Sequence, residues 1–214
     1  MQHSAEIRWF VAGALTPEVH DWFCQGQTLE PEERTDRYLV FPGCESVGVK
    51  IRDGGATGKD PFEIKALKGA SETIQLPNSV SGRTDCWVKW SNSHPANQAW
   101  LEALRAEPAG WLAVAKKRWV RKFALNQNVI EEVPNQQRPA EGCNVELTAL
   151  EADGQAWWSF AFEAFGEPDG VRGNLRSIAI RFLSSQAPLT RFTVANSGSY
   201  AVWLANFPLT TQPK

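Results

Sequence analysis

Lys50 and Arg52 alternate with Val49 and Ile51, so on an extended chain both cations share one face and both apolar side chains the other. The same two-residue phase joins Glu6 to Arg8, Glu63 to Lys65, Arg83 to Asp85 and Lys89, and Lys116 to Arg118. Glu146 and Glu163 follow on two later segments. If these faces meet, Arg8, Lys50, Arg52, Lys65, Arg83, Lys116 and Arg118 would grip phosphate oxygens through charge-assisted hydrogen bonds. The carboxylates on these faces carry hard oxygen donors of the kind that hold a cation such as Mg²⁺ or Mn²⁺. A metal bridging phosphate groups is one route to activating water for hydrolysis. An antiparallel sheet with its polar face in water produces the same alternation, so an open sheet and a lined lumen remain alternatives at this point.

The elements that would position these residues are short and mostly extended. Residues 5–11 read as a strand, followed by a helix that Thr16-Pro17 starts and that carries Val19, Trp22 and Phe23. Strands are predicted at 34–41, 46–53 and 61–67, with turns around Pro42-Gly43 and Asp53-Gly54-Gly55. Residues 68–81 read as a loop, 83–90 as a strand, and Asn92-Ser93-His94-Pro95 as the start of a helix through Trp100, Leu101 and Leu104. Residues 110–123 begin a long strand that is expected to continue beyond Asn126. A hairpin joins 144–151 to 156–165 across Ala152-Asp153-Gly154-Gln155. A helix is expected at 171–184, a short extended piece at 192–194, and Ser199-Tyr200-Ala201-Val202-Trp203-Leu204 closes the chain. Adjacent strands and hairpins, with no βαβ alternation, predict a single α+β domain over 1–214 dominated by antiparallel strands.

Composition narrows the function classes. Over 214 residues the net charge is only −2, because acidic stretches such as Glu30-Pro31-Glu32-Glu33 and Glu131-Glu132 offset the basic faces. Lys116 through Lys122 with Trp119 interleaved is then a weak signal for nucleic acid, which is not expected as a partner. Cys24, Cys44, Cys86 and Cys143 lack the paired spacing of a zinc site or redox dithiol and read as reduced core residues. His3, His20 and His94 belong to no nucleophile or metal motif. The stretch from Asp53 to Lys59 lacks the spacing of a phosphate loop and reads as a hairpin connection. No apolar run approaches the roughly 20 residues that cross a bilayer, and the first residues resemble no signal peptide. A cytoplasmic, soluble protein is the expectation.

Taken in order, Glu6-Ile7-Arg8-Trp9-Phe10, Val49-Lys50-Ile51-Arg52, Phe62-Glu63-Ile64-Lys65, Arg83 and Lys116-Lys117-Arg118-Trp119 form a series. Val145-Glu146-Leu147, Ala161-Phe162-Glu163 and Gly198-Ser199-Tyr200 complete it. The series resembles the triphosphate tunnel metalloenzymes, the CYTH superfamily, which includes thiamine and inorganic triphosphatases. In that family the first strand is patterned E-x-E-x-K, a later strand L-R-I-R, and a late strand E-x-E. The resemblance implies a closed or nearly closed antiparallel β-barrel with helices packed outside and a basic tunnel within. It implies a linear polyphosphate or organic triphosphate as ligand, and a divalent metal on Glu6, Glu146 and Glu163. The second glutamate and the lysine of the first motif are Arg8 and Phe10 here, and Ser159 and Ala161 stand where the late strand alternates before Glu163. A lysine usual near the closing element is not evident around Asn196. The phosphate half of the pattern is thus present and the metal half reduced. The chain reads as a metal-dependent triphosphatase or, alternatively, a degenerate anion-binding module without turnover; a third reading is an interaction protein whose tunnel charges neutralise one another.

Overall fold

The computed structural model of the chain describes residues 2–52, 62–92, 103, 110–127 and 129–208. In chain order the elements begin with β1 (Gln2–Ala12), α1 (Pro17–Cys24), β2 (Glu32–Leu39), β3 (Val47–Arg52) and β4 (Phe62–Leu67). They continue with β5 (Glu72–Gln75), β6 (Ser81–Asn92), β7 (Trp111–Asn126), β8 (Val129–Val133), β9 (Gly142–Ala152) and β10 (Gln155–Phe165). The chain ends with α2 (Val171–Ser185), a 3₁₀ turn (Val194–Asn196) and α3 (Tyr200–Ala205). Every pairing is antiparallel, and the order β1-β10-β9-β7-β2-β3-β4-β6 returns to β1 through the register Gln2↔Lys89 to Ile7↔Thr84. Eight strands therefore close a barrel, as the resemblance implied, while β5 and β8 extend it as flaps on β6 and β7.

Local chemistry explains most of these elements. Pro17 opens α1 at a position whose N–H needs no helical partner, and Gln25 ends it in the left-handed conformation. The β9–β10 hairpin turns on Asp153 and Gly154, whose φ angles of 48° and 69° suit a two-residue turn matched to strand twist. Three expectations need correction. Residues 72–75, read as loop, form β5 on the edge of β6, because polar Glu72-Thr73-Ile74-Gln75 hides its pairing capacity from a hydrophobicity pattern. The strand expected to continue beyond Asn126 instead folds back as β8. The extended piece at 192–194 gives way to the 3₁₀ turn, where Asn196 accepts from the Thr193 backbone. The turn at Asp53-Gly54-Gly55, the connection to Lys59, and the helix expected through Trp100, Leu101 and Leu104 lie outside the described residues, as does His94.

The strand alternation divides the apolar side chains into two cores. Ile7, Trp9, Leu147, Phe160 and Phe162 point outward and meet Trp22 and Phe23 of α1 and Leu175, Ile178 and Phe182 of α2. Ile180 of the same helix faces away from this core and is 37% exposed. The second core lies inside the barrel. Phe10, Tyr38, Leu112, Val114 and Leu150 share the phase of the charged residues on their strands and pack against Trp203, Leu204 and Phe207. α3 is therefore an apolar plug seated in one end of the lumen. The cysteines are all free, with Cys24 and Cys143 buried and Cys44 and Cys86 partly so. No helix among the described residues is long and apolar enough to cross a membrane.

Trp203 stacks on Phe10 with centroids 4.9 Å apart and planes within 2°. Trp203→Ala is expected to lower unfolding free energy by about 3–5 kcal/mol, the range for large aromatic deletions from a core. Urea denaturation of the full chain reads this directly, and an unchanged midpoint would mean that the plug is not part of the cooperative fold.

Candidate functional site

Closure of the sheet turns the polar strand faces inward. Glu6 and Arg8 of β1, Lys50 and Arg52 of β3, Glu63 and Lys65 of β4, and Lys116 and Arg118 of β7 all line one cavity, with Glu146 of β9 and Glu163 of β10. The lumen, not the open sheet, is the outcome of the two alternatives left by the alternation. The cavity measures about 810 Å³ with its opening to solvent included. Arg83 stands apart. It shares a phase with Lys89, but lies toward the other end of β6, in a separate cleft with Asp85, Ser71 and Cys44.

Sequence reasoning missed the centre of the charge network. Arg34, Asp36 and Tyr38 of β2 continue the two-residue phase, yet residues 34–41 were read only as a strand and Glu32 only as part of an acidic balance. Asp36 is fully buried. Its carboxylate lies 2.9 Å from Lys116 Nζ, 3.1 Å from Arg34 Nε, and 3.7 Å from both Lys50 Nζ and Arg52 Nε. Lys50 and Arg52 share Glu63 at 2.6 and 3.4 Å, and Arg118 spans Glu146 at 2.7 Å and Glu32 at 2.5 Å. The signal was present in the period-two series Glu32, Arg34, Asp36, Tyr38. It was masked because Thr35 and Arg37 between them are also polar, so no apolar face marked the strand.

Burial sets the protonation of these groups. Burial alone would raise the Asp36 carboxyl, but Lys116, Lys50 and Arg34 together hold it well below the usual carboxylate range. Glu63 is held down to about 2 by Lys50 and Arg52 against the same burial penalty. Lys50 and Lys116 go the other way. Burial pushes each ammonium down to about 8, although Asp36 pulls both upward. Lys116 also sits 3.9 Å from the Tyr200 ring centroid, and the Arg8 guanidinium lies 4.9 Å from the same ring, so the plug helix supplies cation–π contacts to the charged layer.

The carboxylates expected to hold a metal do not form an open donor set. Arg8 Nε lies 2.7 Å from Glu6, and Arg8 Nη2 lies 3.1 Å from Glu146. Lys65 Nζ bridges Glu6 at 3.4 Å and Glu163 at 3.0 Å. Among the described residues no three His, Cys, Asp or Glu side chains are gathered as a metal site. With ammonium and guanidinium groups between the carboxylates, the residues as arranged do not fit a divalent cation. His20 instead contacts Cys24 Sγ at 3.4 Å and packs edge-on against Trp119, outside the lumen.

No protein-family model matches the chain, and no curated protein matches it. Among solved structures, a conserved hypothetical protein from Pyrococcus furiosus shares 15% identity, with 86% of this chain and 92% of that chain covered, at a TM-score of 0.44. The PH1012 protein from Pyrococcus horikoshii OT3 shares 16% identity over the same shares of each chain, also at 0.44. The PH1819 protein of that organism shares 11%, covering 85% of this chain and 89% of its own, at 0.45. With TM-scores below 0.5, these likenesses carry no argument about function.

Two outcomes follow from the network. Asp36→Asn strands four cations around a neutral amide, and the expected loss is about 3–5 kcal/mol in chemical denaturation, as for other broken buried ion pairs. A variant as stable as the parent would show that Asp36 is not the hub. Acid acts on the same groups. Because Glu63 has a folded pKa of about 2, below its ordinary 4.5, its stabilisation is complete above pH 4.5 and is lost as pH falls from there toward 2. Melting temperatures measured across that window are expected to drop, and Glu63→Gln is expected to flatten part of the drop.

Proposed function

We propose that the lumen binds a linear polyphosphate or organic triphosphate, as a binding pocket rather than a hydrolase. The carrying observation is a set of cations gathered around one cavity. Eight Lys and Arg residues line the cavity against four carboxylates, and adding Asp36 and Glu32 through their ion pairs leaves cations in excess. Burial lowers Lys50 and Lys116 to about 8, and an anion bound beside them would raise both. The closed antiparallel barrel supports the resemblance to triphosphate tunnel proteins, whereas the paired carboxylates favour binding over turnover.

Tripolyphosphate is expected to raise the melting temperature at low ionic strength. Lys50→Ala, Arg52→Ala and Arg118→Ala should each weaken binding by about 1.5–3 kcal/mol, the scale of a charge-assisted contact. Lys117→Ala, on the outer face and half exposed beside Glu33, should leave affinity unchanged. Equal affinities for all four variants in titration calorimetry would remove the clamp, and steady phosphate release from tripolyphosphate would make the protein an enzyme. A pH series adds a second check. Both lysines lose their protons near pH 8 in the free protein, so affinity should fall as pH rises from 7 to 9, and a flat profile would exclude Lys50 and Lys116 from the ligand contacts.

A further inference from the structure

The departures from the family pattern are coupled in space. On the barrel wall Arg8 of β1 lies directly opposite Ala161 of β10, which in turn lies opposite Glu146 of β9. Arg8 therefore reaches across Ala161 to touch Glu146, with its Nη1 donating to Ser159 Oγ at 3.1 Å. Ala161 and Ser159 are fully buried, and a carboxylate side chain at either position would occupy the guanidinium's path. One level away, Asp85, Glu6 and Glu163 stand in a single row across β6, β1 and β10. Like charges directly opposed across strands repel. Here Lys65 Nζ lies between Glu6 and Glu163, while Asp85 is turned to the Ser71 hydroxyl at 2.5 Å.

We propose that Arg8 and Lys65 are permanent internal counter-cations in place of a divalent metal, so that the lumen takes its polyphosphate as the free anion and not as a metal complex. This rests on the polyphosphate reading of the same cavity. A divalent ion at Glu6 and Glu146 has to displace a guanidinium that is only 4% exposed and makes three side-chain contacts. Its removal would leave that charge buried without partners, the costly way to break such a pair. A metal arriving on the ligand fares no better, because it neutralises anionic oxygens that the lysines and arginines would otherwise meet and brings a second cation into a layer already rich in them. Divalent metal and this site thus compete for the same polyphosphate.

The test has two arms on the full chain. In the first, free Mn²⁺ is followed by its electron paramagnetic resonance signal as protein is added, without any phosphate. The parent protein is expected to leave the signal unchanged up to millimolar Mn²⁺, and Arg8→Gln, which exposes Glu6 and Glu146 to each other, is expected to gain binding. Micromolar Mn²⁺ binding by the parent overturns the proposal whether or not the variant folds. In the second arm, tripolyphosphate is titrated in chelator and in excess Mg²⁺. Mg²⁺ should weaken the affinity by roughly fivefold or more, the lower end of ordinary coupling between two ligands. Binding that requires Mg²⁺ overturns the counter-cation proposal but leaves the polyphosphate reading standing. Absence of binding under both conditions refutes the polyphosphate reading, and the free-anion claim with it, while the Mn²⁺ arm still decides what Arg8 and Lys65 replace.

Discussion

Once β1 pairs with β6, the charged faces of eight strands have only the barrel interior to occupy. Ions removed from water must be matched or they unfold what buries them. That single constraint orders the rest of the lumen. Asp36 gathers Arg34, Lys116, Lys50 and Arg52; Glu63 joins Lys50 to Arg52, Glu32 joins Arg34 to Arg118, and Glu146 joins Arg118 to Arg8. Cross-strand register supplies part of the matching without reorganisation, since Lys50 faces Glu63, Asp36 faces Arg52 and Glu32 faces Arg118.

The barrel handles its two ends differently. At one end the lumen-facing positions become Phe10, Tyr38, Leu112 and Leu150, and α3 fills the space between them. Tyr200 sits at the boundary, stacked on Tyr38 and in cation–π contact with Arg8 and Lys116. The plug thereby connects apolar packing to the ion layer. Removing water beside the lysines is what lowers their proton affinity, so the helix that stabilises the fold also tunes the charge of the cavity.

Arg8 illustrates how one side chain redirects a site. With a guanidinium between Glu6 and Glu146, the three carboxylates on β1, β9 and β10 become ion-pair partners and not a donor set. Small residues opposite it make the change possible, because Ala161 and Ser159 leave the path across β10 open. The cations of β7, β2 and β3 line the same cavity, where Lys and Arg outnumber the carboxylates.

Most of the architecture was legible in the order of residues. Period-two alternation in 46–53, 61–67, 83–90 and 110–123 identified the strands and the shared phase of their charges, Thr16-Pro17 marked α1, and Asp153-Gly154 marked the last hairpin. These signals are local, and local conformational preference is what a chain carries in itself. Alternation is symmetric, however, and cannot distinguish a face in water from a face in a lumen. Only closure through β1 and β6 decided that, and it did so by contacts between residues some eighty positions apart. The same holds for the site. Arg8, Lys65 and Glu163 were named from their types, but that Arg8 joins Glu6 to Glu146 and Lys65 joins Glu6 to Glu163 depends on register across β10 and β4. Asp36 was invisible as a hub because its strand is polar on both faces. The sequence determined which charges exist and in what phase, and the tertiary structure determined which charge meets which, because pairing energy depends on distance through space and not along the chain.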